Sequence, residues 1–187
     1  MKLAFVDVET TGFDAGRHRV VEAALQLHLA TPEGLKSLGV AMTLRQHFDR
    51  AVTPWTPEAL KVNGYSEHHP DWYMALMPGS AQACTAWTQF AGYLEGAVLC
   101  SQNVPFDRGF IEAELRHFGI KPKWERRFFD IQALSALVAV KLGLPKAGLH
   151  DAYAALGGPK LEEHRAMADV ERGKFVYEAV TKGWFST

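Results

Sequence analysis

Leu3-Ala4-Phe5-Val6-Asp7-Val8-Glu9-Thr10-Thr11-Gly12 is the stretch on which the reading of this chain turns. From Leu3 to Val8 it is apolar except for one acid, the composition of a strand covered on both faces. Residues two apart on a strand leave the same face, so Asp7 and Glu9 point one way and Val6 and Val8 the other. Two carboxylates side by side on a buried strand repel each other and resist ionisation. An ionised carboxylate among apolar residues is expensive unless something cationic meets it, and nearby Lys and Arg are too few to do so. The alternative is that the strand runs into solvent, with the acids capping the Thr10-Thr11-Gly12 turn.

Outward from this run, Val20 to Leu29 reads as a second strand, from the pair Val20-Val21 and the alternation Leu25-Gln26-Leu27-His28-Leu29. A third covers about Leu38 to Leu44, and Thr31-Pro32-Glu33-Gly34 between them has turn chemistry. The chain thus opens with an antiparallel three-strand meander. Beyond Pro54 the pattern becomes helical. Thr56 caps a short helix with Pro57 at its first position and Gly64 as its stop. Ser80 to Tyr93 is a longer helix, and Val98 to Ser101 a short strand feeding a helix that opens at Pro105 with Asn103 as cap. Further helices span about Ile131 to Lys141, Leu149 to Leu156 and Ala166 to Thr181, joined by glycine-containing connections read as flexible. Strands first, then strand and helices alternating, predict an α/β domain with a mixed central β-sheet flanked by helices.

At 187 residues the chain suits one well-filled domain, 1–187. Lys and Arg number 20 against 21 Asp and Glu, a net charge of -1, which excludes a basic nucleic-acid coat protein but not an enzyme working in a small cleft. The two cysteines, Cys84 and Cys100, make no disulfide framework and read as reduced thiols in a cytoplasmic protein. Met1-Lys2-Leu3 runs straight into a strand, unlike a signal peptide, and no apolar run approaches the ~20 residues of a membrane span.

Two further segments carry acids in unusual settings. In Asn103-Val104-Pro105-Phe106-Asp107 the acid falls in the first turn of a helix, where the dipole alone favours it. In His164-Arg165-Ala166-Met167-Ala168-Asp169 the acid shares a helical face with Gly173, Val176 and Val180 and needs a partner there. His164 lies five residues earlier, about 140° away on a regular helix, and meets Asp169 only from a preceding loop or frayed turn. The other histidines have no comparable setting. Asp7, Glu9, Asp107 and Asp169 together offset two Mg²⁺ or Mn²⁺ ions charge for charge, with the oxygen donors such ions prefer. A metal pair of this kind supports in-line phosphodiester cleavage, with a neutral-pKa histidine taking the proton of water.

At these residues the chain resembles the DnaQ-like (DEDDh) 3′→5′ exonuclease family of the ribonuclease-H-like superfamily. Asp7 and Glu9 match its first motif, Asp107 its second, and His164 with Asp169 its third, in the family's order and over about residues 3 to 180. The resemblance implies a ribonuclease-H-like fold and removal of nucleotides one at a time from a 3′ end. It implies two metals per site on Asp7, Glu9, Asp107 and Asp169, and His164 as general base. Substrate contacts fall to Thr10, Thr11 and Gly12 and to the wedge Val62-Asn63-Gly64-Tyr65, with Phe13 and Phe110 as stacking candidates; core packing is preferred for Phe110. Asp130 echoes a frequent family acid but reads as a helix cap, and Gln102 stands where many relatives have His. Single-stranded 3′ ends of DNA are the favoured partner, with RNA as the alternative substrate and a polymerase or a second copy of the chain as open protein partners. A catalytically silent binding module and an internally cutting nuclease are the rival classes.

Overall fold

The computed structural model describes residues 1–50, 53–63, 75–162 and 165–185. The opening run forms strand β1, Lys2–Thr10, and the next two apolar segments form β2, Val20–Thr31, and β3, Gly34–Arg45. β2 and β3 extend further than their apolar alternation suggests, because Pro32-Glu33 alone make the turn. Gly34 follows at φ 120°, a value that favours glycine. Helix α1, Pro57–Asn63, is capped by Thr56, whose Oγ1 accepts the Ala59 N–H at 3.1 Å. Ser80 caps α2, Ala81–Leu94. Then come β4, Val98–Ser101, and α3, Val104–His117, where Asn103 holds the cap position without a side-chain hydrogen bond.

Strand β5, Phe128–Asp130, was not read from the sequence; three residues are too few to show a period. Asp130 caps α4, Ile131–Leu142, by accepting the Gln132 N–H, as expected. α5, Leu149–Ala155, and α6, Ala166–Phe185, complete the described elements. The Gly157-Gly158-Pro159 connection is held, since Tyr153 Oη donates to Pro159 O at 2.6 Å. Both cysteines are free, as expected. Among the described residues no helix is long and apolar enough to cross a membrane.

The sheet runs β3-β2-β1-β4-β5, antiparallel through the meander and parallel from β1 to β4 and β5, so the mixed α/β architecture is as expected. Alternation on β1 divides the core into two layers. Ala4, Val6 and Val8 pack with Trp87, Phe90 and Leu94 of α2 and Phe110, Ile111 and Leu115 of α3. Leu3 and Phe5 pack on the opposite face with Ile131, Leu134, Val170, Val176 and Tyr177 of α4 and α6. Asp7 and Glu9 continue the second row, toward α6. Full burial of each large side chain supplies about 1.5–3 kcal/mol, enough to lock the strand's facing.

Two features shape the β1 exit. The β1–β2 register slips between Glu9 and Thr10, leaving Val21 as an extra residue on β2. Such a bulge bends a strand and re-aims its side chains. The following turn is tied to α3 by Arg19, whose Nε and Nη2 donate to Glu114 Oε1 and Oε2 at 2.7 and 2.8 Å. Glu114 is buried and also accepts the Val20 N–H at 3.1 Å. Glu114→Ala leaves the guanidinium and that N–H without their acceptor and should reduce unfolding free energy by about 3 kcal/mol in urea titration. A loss below about 1 kcal/mol, the range of an exposed ion pair, would show that this contact does not hold the turn.

Candidate active site

Asp7 and Glu9 leave the end of β1 on the face covered by α6, whose first turn carries Asp169. One carboxylate oxygen from each of the three lies within 4.8 Å of the others. Strand and helix, from opposite ends of the chain, therefore bring three acids to one point. The donor set is carboxyl oxygen only and half-buried, which fits a hard divalent cation and not a soft one.

Asp107 stands next to this trio but outside it. β4 stops pairing with β1 at Phe5, so the Val8 N–H finds no partner on β4. Asp107 Oδ1 accepts that N–H at 3.0 Å, and Oδ2 accepts the Ser101 hydroxyl at 2.7 Å. The expected gathering of four acids is thus three together and a fourth whose two oxygens each already accept a hydrogen bond across the β1–β4 fork. Each oxygen keeps a second lone pair for a further contact.

The acids differ in their hold on protons. Burial pushes Asp7 well above the carboxylate range, and Asp107, Asp169, Glu9 and Glu22 add to it. Glu9 is raised to about 8 by burial first, then by Asp169, Glu22 and Asp107, with Arg165 opposing. Asp107 is raised to about 7 by burial, against the pull of its bonds from Ser101 and Val8. Asp169 goes the other way. Burial works to raise it, but hydrogen bonds from His150 and Arg172 outweigh that and hold it below its ordinary value.

Cations therefore do reach the site, contrary to the expectation that Lys and Arg are too few. Arg172 Nη1 donates to Asp169 Oδ1 at 2.9 Å, and His150 Nε2 lies 3.1 Å from the same oxygen. Arg45 pairs with buried Glu22 at 2.7 Å, and Glu22 is the cross-strand neighbour of Glu9. Sequence reasoning missed Glu22, although an acid within Val20-Val21-Glu22-Ala23-Ala24 carries the same signal as Asp7. Arg172 was missed as well, although its place three residues beyond Asp169 on one helix is a spacing the sequence shows; His150 had no such signal, since only the packing of α5 against α6 makes it a neighbour of Asp169.

His164, the expected general base, lies outside the described residues, as do Gly64 and Tyr65 of the expected wedge. α6, which carries Asp169 in its first turn, begins at Ala166. Val62 is exposed on α1, and Asn63 ends that helix. The Thr10-Thr11-Gly12 turn is buried rather than open. Thr11 donates its N–H to Arg19 O at 2.9 Å and accepts the Thr56 N–H on its own carbonyl at 2.9 Å, so its backbone is already engaged. A Cβ on Gly12 would sit 2.6 Å from His18 ring atoms, so only glycine lets the turn close there. Phe13, next after this turn, is exposed at 64%. Phe110 is core, as preferred.

A family model described as exonuclease, RNase_T, matches residues 52–173, more than half of the chain. The chain belongs to this exonuclease family. It is an enzyme of the 3′→5′ exonuclease class with a ribonuclease-H-like fold, as the motifs implied. The matched range includes Asp107, His164 and Asp169 and starts downstream of Asp7 and Glu9. Ribonuclease T of Shewanella oneidensis is 26% identical over 96% of this exonuclease and 81% of the relative. The fold also matches exonuclease I of E. coli in a complex with single-stranded DNA, at TM-score 0.76 and 18% identity, over 97% of this chain and 40% of that one. Exonuclease I of Methylocaldum szegediense matches at TM-score 0.74 and 23% identity. The chain thus spans about 40% of the length of those two exonuclease I chains.

The raised acids set a pH dependence. A carboxyl with a folded pKa above its unfolded value contributes stability that is full below the unfolded pKa and lost as pH rises through the folded one. For Glu9 and Asp107 that window runs from about 4, the ordinary carboxyl value, to about 8 and about 7. Asp169, held low, titrates beneath it. In EDTA the melting temperature should fall by several degrees between pH 5 and pH 9, and Mn²⁺ should restore it most at the alkaline end. A melting temperature in EDTA that is flat or rising across this range would contradict the crowding of buried acids.

Proposed function

We propose that residues 1–187 form one catalytic domain that hydrolyses single-stranded nucleic acid from the 3′ end, with DNA as the first substrate reading. The observation that carries it is the convergence of Asp7, Glu9 and Asp169 oxygens within 4.8 Å at the end of β1. In this reading Asp7, Glu9 and Asp169 hold divalent metal, Mg²⁺ or Mn²⁺, and Asp107 joins them through its remaining lone pairs. Two ions per site is the arrangement implied by the motif set. Such ions activate water and neutralise the leaving oxygen of a phosphodiester.

The chain's own residues perform the rest. Asp169 is ionised in advance by its two donors, so negative charge stands ready at the site. Asp7 and Glu9, with pKa values raised by burial, give up their protons as a cation competes for them, so metal entry releases protons. His164, by its motif position five residues before Asp169, takes the proton of the attacking water. Phe13, exposed beside the turn, offers a ring to a terminal base, with stacking of about 1–3 kcal/mol.

RNA is the second substrate reading, and the ribonuclease T relatives favour it. A 5′-labelled single strand of DNA and one of RNA of matched sequence, each with Mn²⁺, separate the two. Ladders shortening one nucleotide at a time are expected, with Asp7→Asn and Asp169→Asn slowing release at least about a hundredfold, beyond what loss of a supporting residue costs. His164→Ala should reduce the rate while leaving Mn²⁺ binding in place. Intact oligonucleotides of both kinds would leave a binding module, and internal cuts would indicate an endonuclease.

A further inference from the structure

We infer that His150 is a positioning residue for Asp169: its imidazole N–H pins one carboxylate oxygen and thereby presents the other toward Asp7 and Glu9. The inference rests on Asp169 serving as a metal ligand and names the device that orients it.

His150 stands in the first turn of α5, between Leu149 and Ala152, both buried, so the backbone that carries it is fixed by packing. Its Nε2 lies 3.1 Å from Asp169 Oδ1. A carboxylate has no hydrogen to give, so Nε2 is the donor. The same oxygen accepts from Arg172 Nη1 at 2.9 Å. Arg172 is 4% exposed and is held by the Glu162 carbonyl at 2.8 Å and by the Tyr153 ring at 5.9 Å.

Arg172 alone would be a poor orienting device. It lies three residues beyond Asp169 on the same helix, and a guanidinium beside a carboxylate readily takes both oxygens in a forked pair. That pairing would remove Asp169 from the cation site. A second donor from a different helix, converging on the same oxygen, opposes the rotation that forks the pair. His150 supplies it, and its side chain is half exposed, with no described hydrogen bond other than this one. An exposed side chain held in one contact with a site acid is unlike an ordinary surface histidine.

Ligand-supporting partners of this kind typically change metal affinity 10- to 100-fold. The probe is Mn²⁺, titrated into the full chain and followed by the electron paramagnetic resonance signal of the free ion, beside melting curves in EDTA. His150→Ala should weaken Mn²⁺ binding about tenfold with an unchanged melting temperature. His150→Gln, whose amide N–H can donate to the same oxygen, should restore most of the affinity. Asp169→Asn is measured in parallel. Parent-like Mn²⁺ affinity in His150→Ala, with loss in Asp169→Asn, would overturn the role of His150 and leave the site reading standing. A loss in His150→Ala that Gln fails to restore would likewise overturn positioning through a hydrogen bond. Parent-like affinity in Asp169→Asn would instead overturn the metal-site reading, and this inference with it.

Discussion

The arrangement depends on the mutual repulsion of carboxylates that the fold forces out of water. Asp7 occupies a strand whose neighbours toward the N-terminus are wholly covered, and burial and four surrounding acids all push its pKa upward. Around it the structure relieves three of those four acids, each in a different way. Arg45 pairs with Glu22, Ser101 and the Val8 N–H hold Asp107, and Arg172 with His150 holds Asp169. These supports sit on three strands and two helices, so the charge at one point ties the opposite ends of the chain together.

Topology decides where that point lies. β1 outruns its parallel neighbour: pairing with β4 ends at Phe5 while β1 continues to Thr10. Past that fork an unpaired amide must find an acceptor, and Asp107 provides it from the first turn of α3. On the other side the β-bulge at Glu9 and Thr10 turns the strand end as the chain leaves for the Arg19-anchored loop. Burial of Leu3 and Phe5 against α4 and α6 then fixes which face the acids take. The site is thus placed by hydrophobic packing and strand length; hydrogen bonding to the acids follows from that placement.

Much of this was legible in the residues. Val98 to Ser101 matched its strand end for end, and the caps at Thr56 and Asp130 were visible because capping chemistry is local. Asp7 and Glu9 were legible because a period of two fixes their shared face. β5 was not, since its pairing with β4 comes from the sheet rather than from Phe128-Phe129-Asp130 itself. Asp107 taken alone reads first as a dipole-favoured first-turn acid, and in the fold it also serves β1. His150 was discounted for want of any local pattern; it meets Asp169 only because α5 and α6 pack together, and no periodicity encodes that. The Thr10-Thr11-Gly12 turn shows the same limit of local reading. Arg19 and Thr56, well separated from it in sequence, claim the Thr11 amide and carbonyl.

Counting four negative charges against two divalent ions presumes that each acid keeps its ordinary acidity. The structure argues for a different ledger near neutrality. Glu9, raised to about 8, and Asp107, raised to about 7, are protonated to a large extent, and Asp7 is driven the same way. Asp169 is the acid of the four held in its charged form. The site before metal entry is therefore far less negative than its composition suggests, which is how acids so close together coexist in a folded chain. To act as ligands, Asp7 and Glu9 must first release protons, so cation affinity here rises with pH. Asp169 escapes that requirement because Arg172 and His150 have already stabilised its charge, and it is the residue on which an approaching cation first finds a full carboxylate.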